Sequence, residues 1–291
     1  MVLLEALITG GIAGGVYGLL ALGLSLQYGV ARILNLAYGE AVILAGIATF
    51  LLYQGLGLSP LVSLAVLPPL SFLLHLLFHR ILFLPLVGRT LALDGTTEGR
   101  IILLTFGVSF LVQGLLAAEG GGRIFSYSYL SQGVALGPSA VALNRLLACF
   151  LGLALIGLTH LFLRRTRMGM AIRALSREPE EVLLVGVPAA RLAGYLFALG
   201  GGVAAAAGVL FSMFLALTPA MGPEFTLKAL VVVVLGGLQG TAGVLVGGLV
   251  LGVAEALVTR LVSPGLSLAA VYGLFVLGVL YLRGQRETVR Q

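Results

Sequence analysis

Apolar runs long enough to cross a lipid bilayer recur from one end of this chain to the other, and little is left between them. A crossing needs about 20 apolar residues at 1.5 Å rise to span roughly 30 Å of hydrocarbon. Residues 3 to 28, 36 to 56, 61 to 78, 101 to 118, 142 to 163, 189 to 211, 224 to 238, 241 to 261 and 265 to 282 qualify as candidates. The seventh is short and reads as a partial or broken helix; if it merges with the eighth, the count falls to eight. The expected fold is therefore all-α: a polytopic helical membrane bundle of eight to nine spans.

Composition agrees. Of 291 residues, 59% are hydrophobic and 10% charged, against about 25% charged in an average soluble domain. No polar stretch is large enough for a separate soluble domain, so residues 1–291 are expected to form one membrane domain. The start, Met1-Val2-Leu3-Leu4-Glu5, lacks the basic region of a cleaved signal and leads into the first apolar run, which is expected to be retained. The single cysteine, Cys149, falls inside an apolar run, which leaves no disulfide framework or thiolate metal site and points to a packing role. The formal charge of +6 does not point to nucleic acid, because the arginines punctuate spans instead of forming one stripe.

Those arginines orient the chain. With nine spans and an outside N-terminus, the inner segments hold Arg32, then Arg80, Arg89 and Arg100, then Arg164, Arg165, Arg167, Arg173, Arg177 and Arg191, then Arg283, Arg286 and Arg290. Only Arg123, Arg145, Lys228 and Arg260 fall elsewhere, the bias expected of cytoplasmic loops. The same count places the longest polar interval, 164 to 187, in the cytoplasm. Its second half reads as a short helix: Pro179 suits a first turn, Glu180 and Glu181 sit near the positive end of the dipole, and Gly186 can end it.

Glycine is frequent, at 42 residues, and patterned. Gly10, Gly14 and Gly18 stand one turn apart on the first span, and Gly247-Gly248 and Gly252 stud the eighth. Small faces let helices approach closely where lipid provides no hydrophobic drive for association. Gly236-Gly237-Leu238-Gln239-Gly240 fits either tight packing or a helix break beside a path, since irregular backbone at membrane depth needs protein or water against it.

Several chemistries are excluded. The only lysine, Lys228, lies between Leu227 and Ala229, so no phosphate-binding Walker loop is present. His75 and His79 are four apart but lack the glutamate of a zinc protease helix, and are placed with Arg80 at the inner end of the third span. No serine elbow or clustered triad supports an intramembrane enzyme. Ionisable groups at membrane depth are costly and point to function. Glu40 and Glu255 are the carboxylates concerned, with Gln27, Asn35 and Gln113 as neutral polar candidates. Glu255 fits either a pathway role or a structural bond, with Arg260 as a candidate partner. Buried carboxylates paired with basic residues look too scarce for a proton-coupled carrier.

Three ordered motifs carry a resemblance. Asn35-Leu36-Ala37-Tyr38-Gly39-Glu40 is similar to an Asn-Phe-Ala-His-Gly-Glu/Asp signature, with Tyr38 where histidine is common. Gly169-Met170-Ala171-Ile172-Arg173-Ala174, then Glu178-Pro179-Glu180 and Gly186-Val187, resembles a Gly-x-Ala-x-Arg-Ala…Asp-Pro-Glu…Gly-Ile loop. Lys228-Ala229, Gly236-Gly237-Leu238-Gln239-Gly240, Gly243 and Gly247-Gly248 resemble a Lys-Ala/Phe…Leu-Gly-Gly-Leu-Gly-Ser…Gly-Ala…Gly-Gly pattern. The chain thus resembles, over nearly its whole length, the LivH-type permeases of branched-chain amino acid ABC importers.

The resemblance implies a non-enzymatic transport subunit in the bacterial inner membrane that imports branched-chain or related amino acids. It implies pairing with a second related permease, two cytosolic ATPases carrying ATP and Mg, and an extracytoplasmic solute-binding protein; this chain itself needs no cofactor. It makes 164–187 a coupling segment, centred near Arg173 to Gly186, with Gly169, Ala171, Arg173, Ala174, Glu178, Pro179, Glu180 and Gly186 meeting an ATPase. Asn35, Tyr38, Gly39, Glu40, Lys228, Gly236, Gly237, Gln239 and Glu255 become candidates for the translocation path or its helix breaks. Urea or short-chain amides are alternative cargoes, and a self-sufficient carrier or channel using Glu255 is the alternative mechanism.

Overall fold

The computed structural model describes residues 2–31, 34–87, 95–136, 139–177, 189–237, 240–262, 266, 269 and 271–278. Helix α1 runs Val2–Ala31, α2 Tyr38–Leu56 and α3 Pro60–Phe78, which continues through a π-helical turn, His79–Phe83, into α4, Leu84–Val87. There follow α5 Gly95–Gly120, α6 Leu143–Arg165, α7 Arg167–Arg177, α8 Ala189–Ser212, a 3-10 turn Pro219–Met221, α9 Gly222–Gly236 and α10 Thr241–Leu261.

Among the described residues, eight helical stretches are long and apolar enough to cross a membrane. The third, Pro60–Leu86, outruns its expected end at 78, because Ile81, Leu82, Phe83 and Leu84 prolong the apolar run while Arg80 stays exposed. The seventh and eighth do not merge: α9 stops at Gly237, whose φ of 79° and ψ of 153° belong to a region open essentially to glycine alone. Of the expected ninth span, only part is described, with residues 271–278 helical. A short antiparallel hairpin between α5 and α6, β1 Gly133–Leu136 and β2 Ser139–Ala142, was not foreseen. Upstream of it, Tyr127 packs on Tyr53 and shares a 2.9 Å hydrogen bond with Ser212; burial pushes its hydroxyl up to about 12, so it stays neutral.

The bundle is built around α8 and α1. Their apolar windows are 89% and 67% buried, whereas that of α3 is 11% buried, which leaves the α3 flank for lipid or another chain. Leu19, Leu20, Leu24, Tyr38, Ile43, Leu196, Leu210 and Phe211 form the centre of the core.

The glycine spacing of α1 is explained by α10, its most extensive packing partner. A Cβ on Gly14 would sit 2.7 Å from the Leu249 Cα, and one on Gly10 would sit 2.6 Å from the Gly252 carbonyl oxygen. One on Gly248 would lie 2.5 Å from the Gly18 nitrogen. The two backbones therefore touch along the seam, gaining dispersion contact that lipid cannot match.

Candidate functional site

Helix α2 starts beside the interior of α1 instead of beyond its end. Asn35 makes the turn: its Oδ1 accepts the Ala37 N–H at 3.1 Å, and its Nδ2 donates to Gln27 Oε1 at 3.1 Å. Gln27 in turn donates to the Phe197 carbonyl of α8 at 3.1 Å, and the Tyr38 hydroxyl donates to the Leu20 carbonyl at 2.5 Å. The Ala37 N–H of the non-helical turn is thereby satisfied by a side chain within the bundle, as a low-dielectric setting demands.

The N-terminus of α9 meets this turn. The Gly39 N–H donates to Thr226 Oγ1 at 2.8 Å, and a Cβ on Gly39 would collide with the Gly222 carbonyl. A side chain at Gly39 would drive the two helix ends apart, and one at Gly222 would displace the Glu40 carboxylate. Against Gly222 lies the carboxylate of Glu40, whose residue is 1% exposed. Its Oε1 accepts from Ser109 Oγ at 2.8 Å and Gln113 Nε2 at 2.9 Å, both on α5, while its Oε2 is buried without a protein partner. Helix N-termini carry partial positive charge, so α9 and α2 both favour an anion here.

Glu40 forms part of the wall of a cavity of about 430 Å³ among α2, α3, α5 and α8. The cavity is mostly aliphatic, with Asn35, Ser71 and His75 as its other polar residues. His75 was expected only at the inner end of its span; here its Nδ1 donates to the Ser71 carbonyl at 2.8 Å.

Lys228 and Glu255, separate in the sequence, form one cluster. Lys228 Nζ lies 2.9 Å from Glu255 Oε1 and 2.9 Å from Glu224 Oε1, and Tyr17 donates to Glu255 Oε2 at 2.6 Å. The candidate partner Arg260 instead pairs with Glu5 of α1, which reaches it across the glycine seam. The expected shortage of paired buried carboxylates is thus corrected, because the partner of Glu255 comes from α9 and not from its own helix. The cluster borders a second cavity of about 270 Å³ that Arg145 and Arg260 also line.

The segment assigned to coupling holds α7 in its first half, upstream of the helix expected over Pro179 to Gly186. The Thr166 hydroxyl caps it by accepting the Gly169 N–H at 3.0 Å, and it donates to the Phe162 carbonyl at 2.7 Å. A Cβ on Gly169 would sit 2.6 Å from the Leu163 carbonyl carbon, so glycine lets α7 fold tightly against α6. Ile172 and Leu175 are buried, Ala171 is half-buried, and Met168, Met170, Arg173 and Ala174 face outward. The helix expected over Pro179 to Gly186, with Glu178, Glu180 and those two residues themselves, lies outside the described residues, as does Gln239.

The structure therefore joins Asn35, Tyr38, Gly39 and Glu40 at one site, Lys228 and Glu255 at a second, and Gly236 and Gly237 at the α9–α10 turn. Sequence reasoning missed Tyr17, Ser109 and Thr226. For Ser109 a signal existed: with Gln113 it forms an i, i+4 polar pair in the otherwise apolar stretch 106–118 of α5, the spacing that places both on one face.

A family profile described as "Branched-chain amino acid transport system / permease component" matches residues 6–282. Among curated relatives, the high-affinity branched-chain amino acid transport system permease protein LivH of Salmonella typhimurium is 26% identical, covering 96% of this chain and 93% of its own. BraD of Pseudomonas aeruginosa, named likewise, is 27% identical over the same shares. A probable branched-chain amino acid transport permease protein LivH of Methanocaldococcus jannaschii is 27% identical over 83% of this chain and 76% of its own. No solved structure matches the chain significantly. With a family match over nearly its full length, an all-helical bundle, and the three motifs at the α2 start, at α7 and at the α9–α10 turn, this chain belongs to the permease-component family of branched-chain amino acid transport systems.

Proposed function

We propose that the chain is the membrane-spanning subunit of an ATP-driven importer for branched-chain or closely related amino acids. It would sit in the bacterial inner membrane with its N-terminus outside and C-terminus inside. Its partners would be a second related permease, two cytosolic ATPases that hold ATP and Mg, and an extracytoplasmic solute-binding protein. The observation that carries this reading is α7, a capped amphipathic helix anchored by Ile172 and Leu175 that turns Arg167 and Arg173 outward. A docking helix of this kind suits a chain whose only lysine is buried in an ion pair and cannot bind nucleotide. Closure of an ATPase pair would push α7 and shift spans between inward-open and outward-open arrangements, as rigid elements sliding on packed interfaces.

Reconstitution tests it. The chain with all four partners in proteoliposomes takes up radiolabelled leucine with ATP and not without. Gradient-driven uptake by this chain alone would overturn the reading and favour a self-sufficient carrier, the rival that the Lys228–Glu255 pair supports. Uptake of urea or a short-chain amide in preference to leucine would keep the architecture and change the cargo.

A further inference from the structure

We propose that α5 is the moving span of this subunit and that the Glu40 carboxylate is the catch that holds it. This rests on the importer reading above and names the element that shifts. Among the described residues, α5 packs more thinly on the rest of the chain than any of the other seven candidate spans. A Cβ on its Gly99, Gly107 or Gly114 would meet nothing within 4 Å, so no backbone seam like that of α1 and α10 fastens it. Lipid covers an apolar helix as readily as protein does, and a span held by so little close packing is free to shift.

The few contacts of α5 divide it in two. Its buried residues, Ile101, Thr105 and Ser109, lie four apart on one face. Ile101 is set among Phe83, Ala193 and Phe197, an apolar anchor near the start of the helix that serves as pivot. From Phe110 to Glu119 no residue is buried, and Leu116 makes only a partial contact with the core. What fixes this half is polar: Ser109 Oγ and Gln113 Nε2 donate to Glu40 Oε1 at 2.8 and 2.9 Å, and Gln113 also donates to Ser109 Oγ at 3.0 Å. Glu40 itself stays with α2 and lies against Gly222 at the start of α9, where two helix N-termini favour its charge. When α5 parts from it, water can reach the carboxylate, and the catch is ready to close again. Room for the motion exists, because Val108 and Val112 of α5 border the cavity of about 430 Å³, with Ala41 and Leu44 of α2 on its wall as well.

Nitroxide labels on Leu115→Cys of α5 and Val246→Cys of α10, both exposed positions, read the motion in a Cys149→Ser background. The assembled importer, with cysteine-free partners, is measured in lipid nanodiscs by pulsed electron paramagnetic resonance. Trapping the ATPases with ADP and vanadate is expected to change the separation by about 5 Å, the scale of a one-turn slide. A label on Leu158→Cys of α6, paired with the same α10 position, is expected to stay put. Ser109→Ala raises the fraction already shifted without nucleotide by about tenfold, the effect of one lost hydrogen bond to a charged group. Ser109→Thr keeps the hydroxyl and leaves that fraction unchanged; should Ser109→Ala fail to assemble, Gln113→Leu serves in its place. No change at position 115, or an equal change at 158, in an importer that transports leucine overturns the moving span. A nucleotide-driven change that Ser109→Ala and Gln113→Leu leave untouched overturns the catch. Absence of leucine uptake by the unaltered importer overturns the importer reading instead.

Discussion

At the scale of the residue, Lys228 shows how burial changes the meaning of a charge. Surface lysines contribute little, but this one is 5% exposed and touches Glu224, Glu255 and Tyr17. Removing one member of such a pair strands the other in a poorly solvating site, at a cost of about 3–5 kcal/mol, whereas removing both is far milder. Lys228→Met, which strands Glu255 and Glu224, is expected to lower the unfolding midpoint of the purified protein sharply, Glu255→Gln to lower it less because Glu224 still holds Lys228, and the double variant to recover part of the Lys228→Met loss. Additive effects in that cycle would show that the pair does not act as a unit.

At the scale of the element, two features of local sequence decide packing. Thr166 ends α6 and caps α7, so Thr166→Ala is expected to loosen α7 by about 1 kcal/mol, seen as several-fold faster amide exchange over residues 167–177. Unchanged exchange there would mean tertiary contacts of Ile172 and Leu175 alone hold the helix. Gly14 sits where the α1 and α10 backbones meet, so Gly14→Val forces overpacking of about 1–3 kcal/mol or more. Gly11, with open space around it, accepts valine without that loss. Equal melting of the two variants would contradict the seam.

At the scale of the whole molecule, orientation is open to direct measurement. In a Cys149→Ser background, Arg123→Cys is expected to react with a membrane-impermeant maleimide on intact spheroplasts, and Arg173→Cys only after lysis. The reverse pattern would invert the topology and remove the case for α7 as an ATPase contact. The range of eight to nine spans was legible beforehand because a bilayer imposes one length and one polarity on every crossing. The break between α9 and α10 was one of two readings open at Gly236-Gly237, and the structure shows both the break and close packing of Gly236 on Gly243. The presence of α7 was not legible, because its Thr166 cap and the burial of Ile172 and Leu175 depend on how it folds back onto α6.

Sequence by itself determined that this chain is a bundle of membrane helices, roughly where each begins and ends, and, through its motifs, the family it belongs to. Those properties depend on local hydrophobicity and spacing, which one strand of text records in full. Only the tertiary structure decided which groups meet. Helix rotation within the bundle gives Glu255 Lys228 as its partner instead of Arg260, lays Gly14 against Gly248, and buries the Glu40 carboxylate against Gly222. Spans that are apolar on every side give little sign of which face turns inward. That choice is made by close backbone packing and by the need of each buried polar group for a partner.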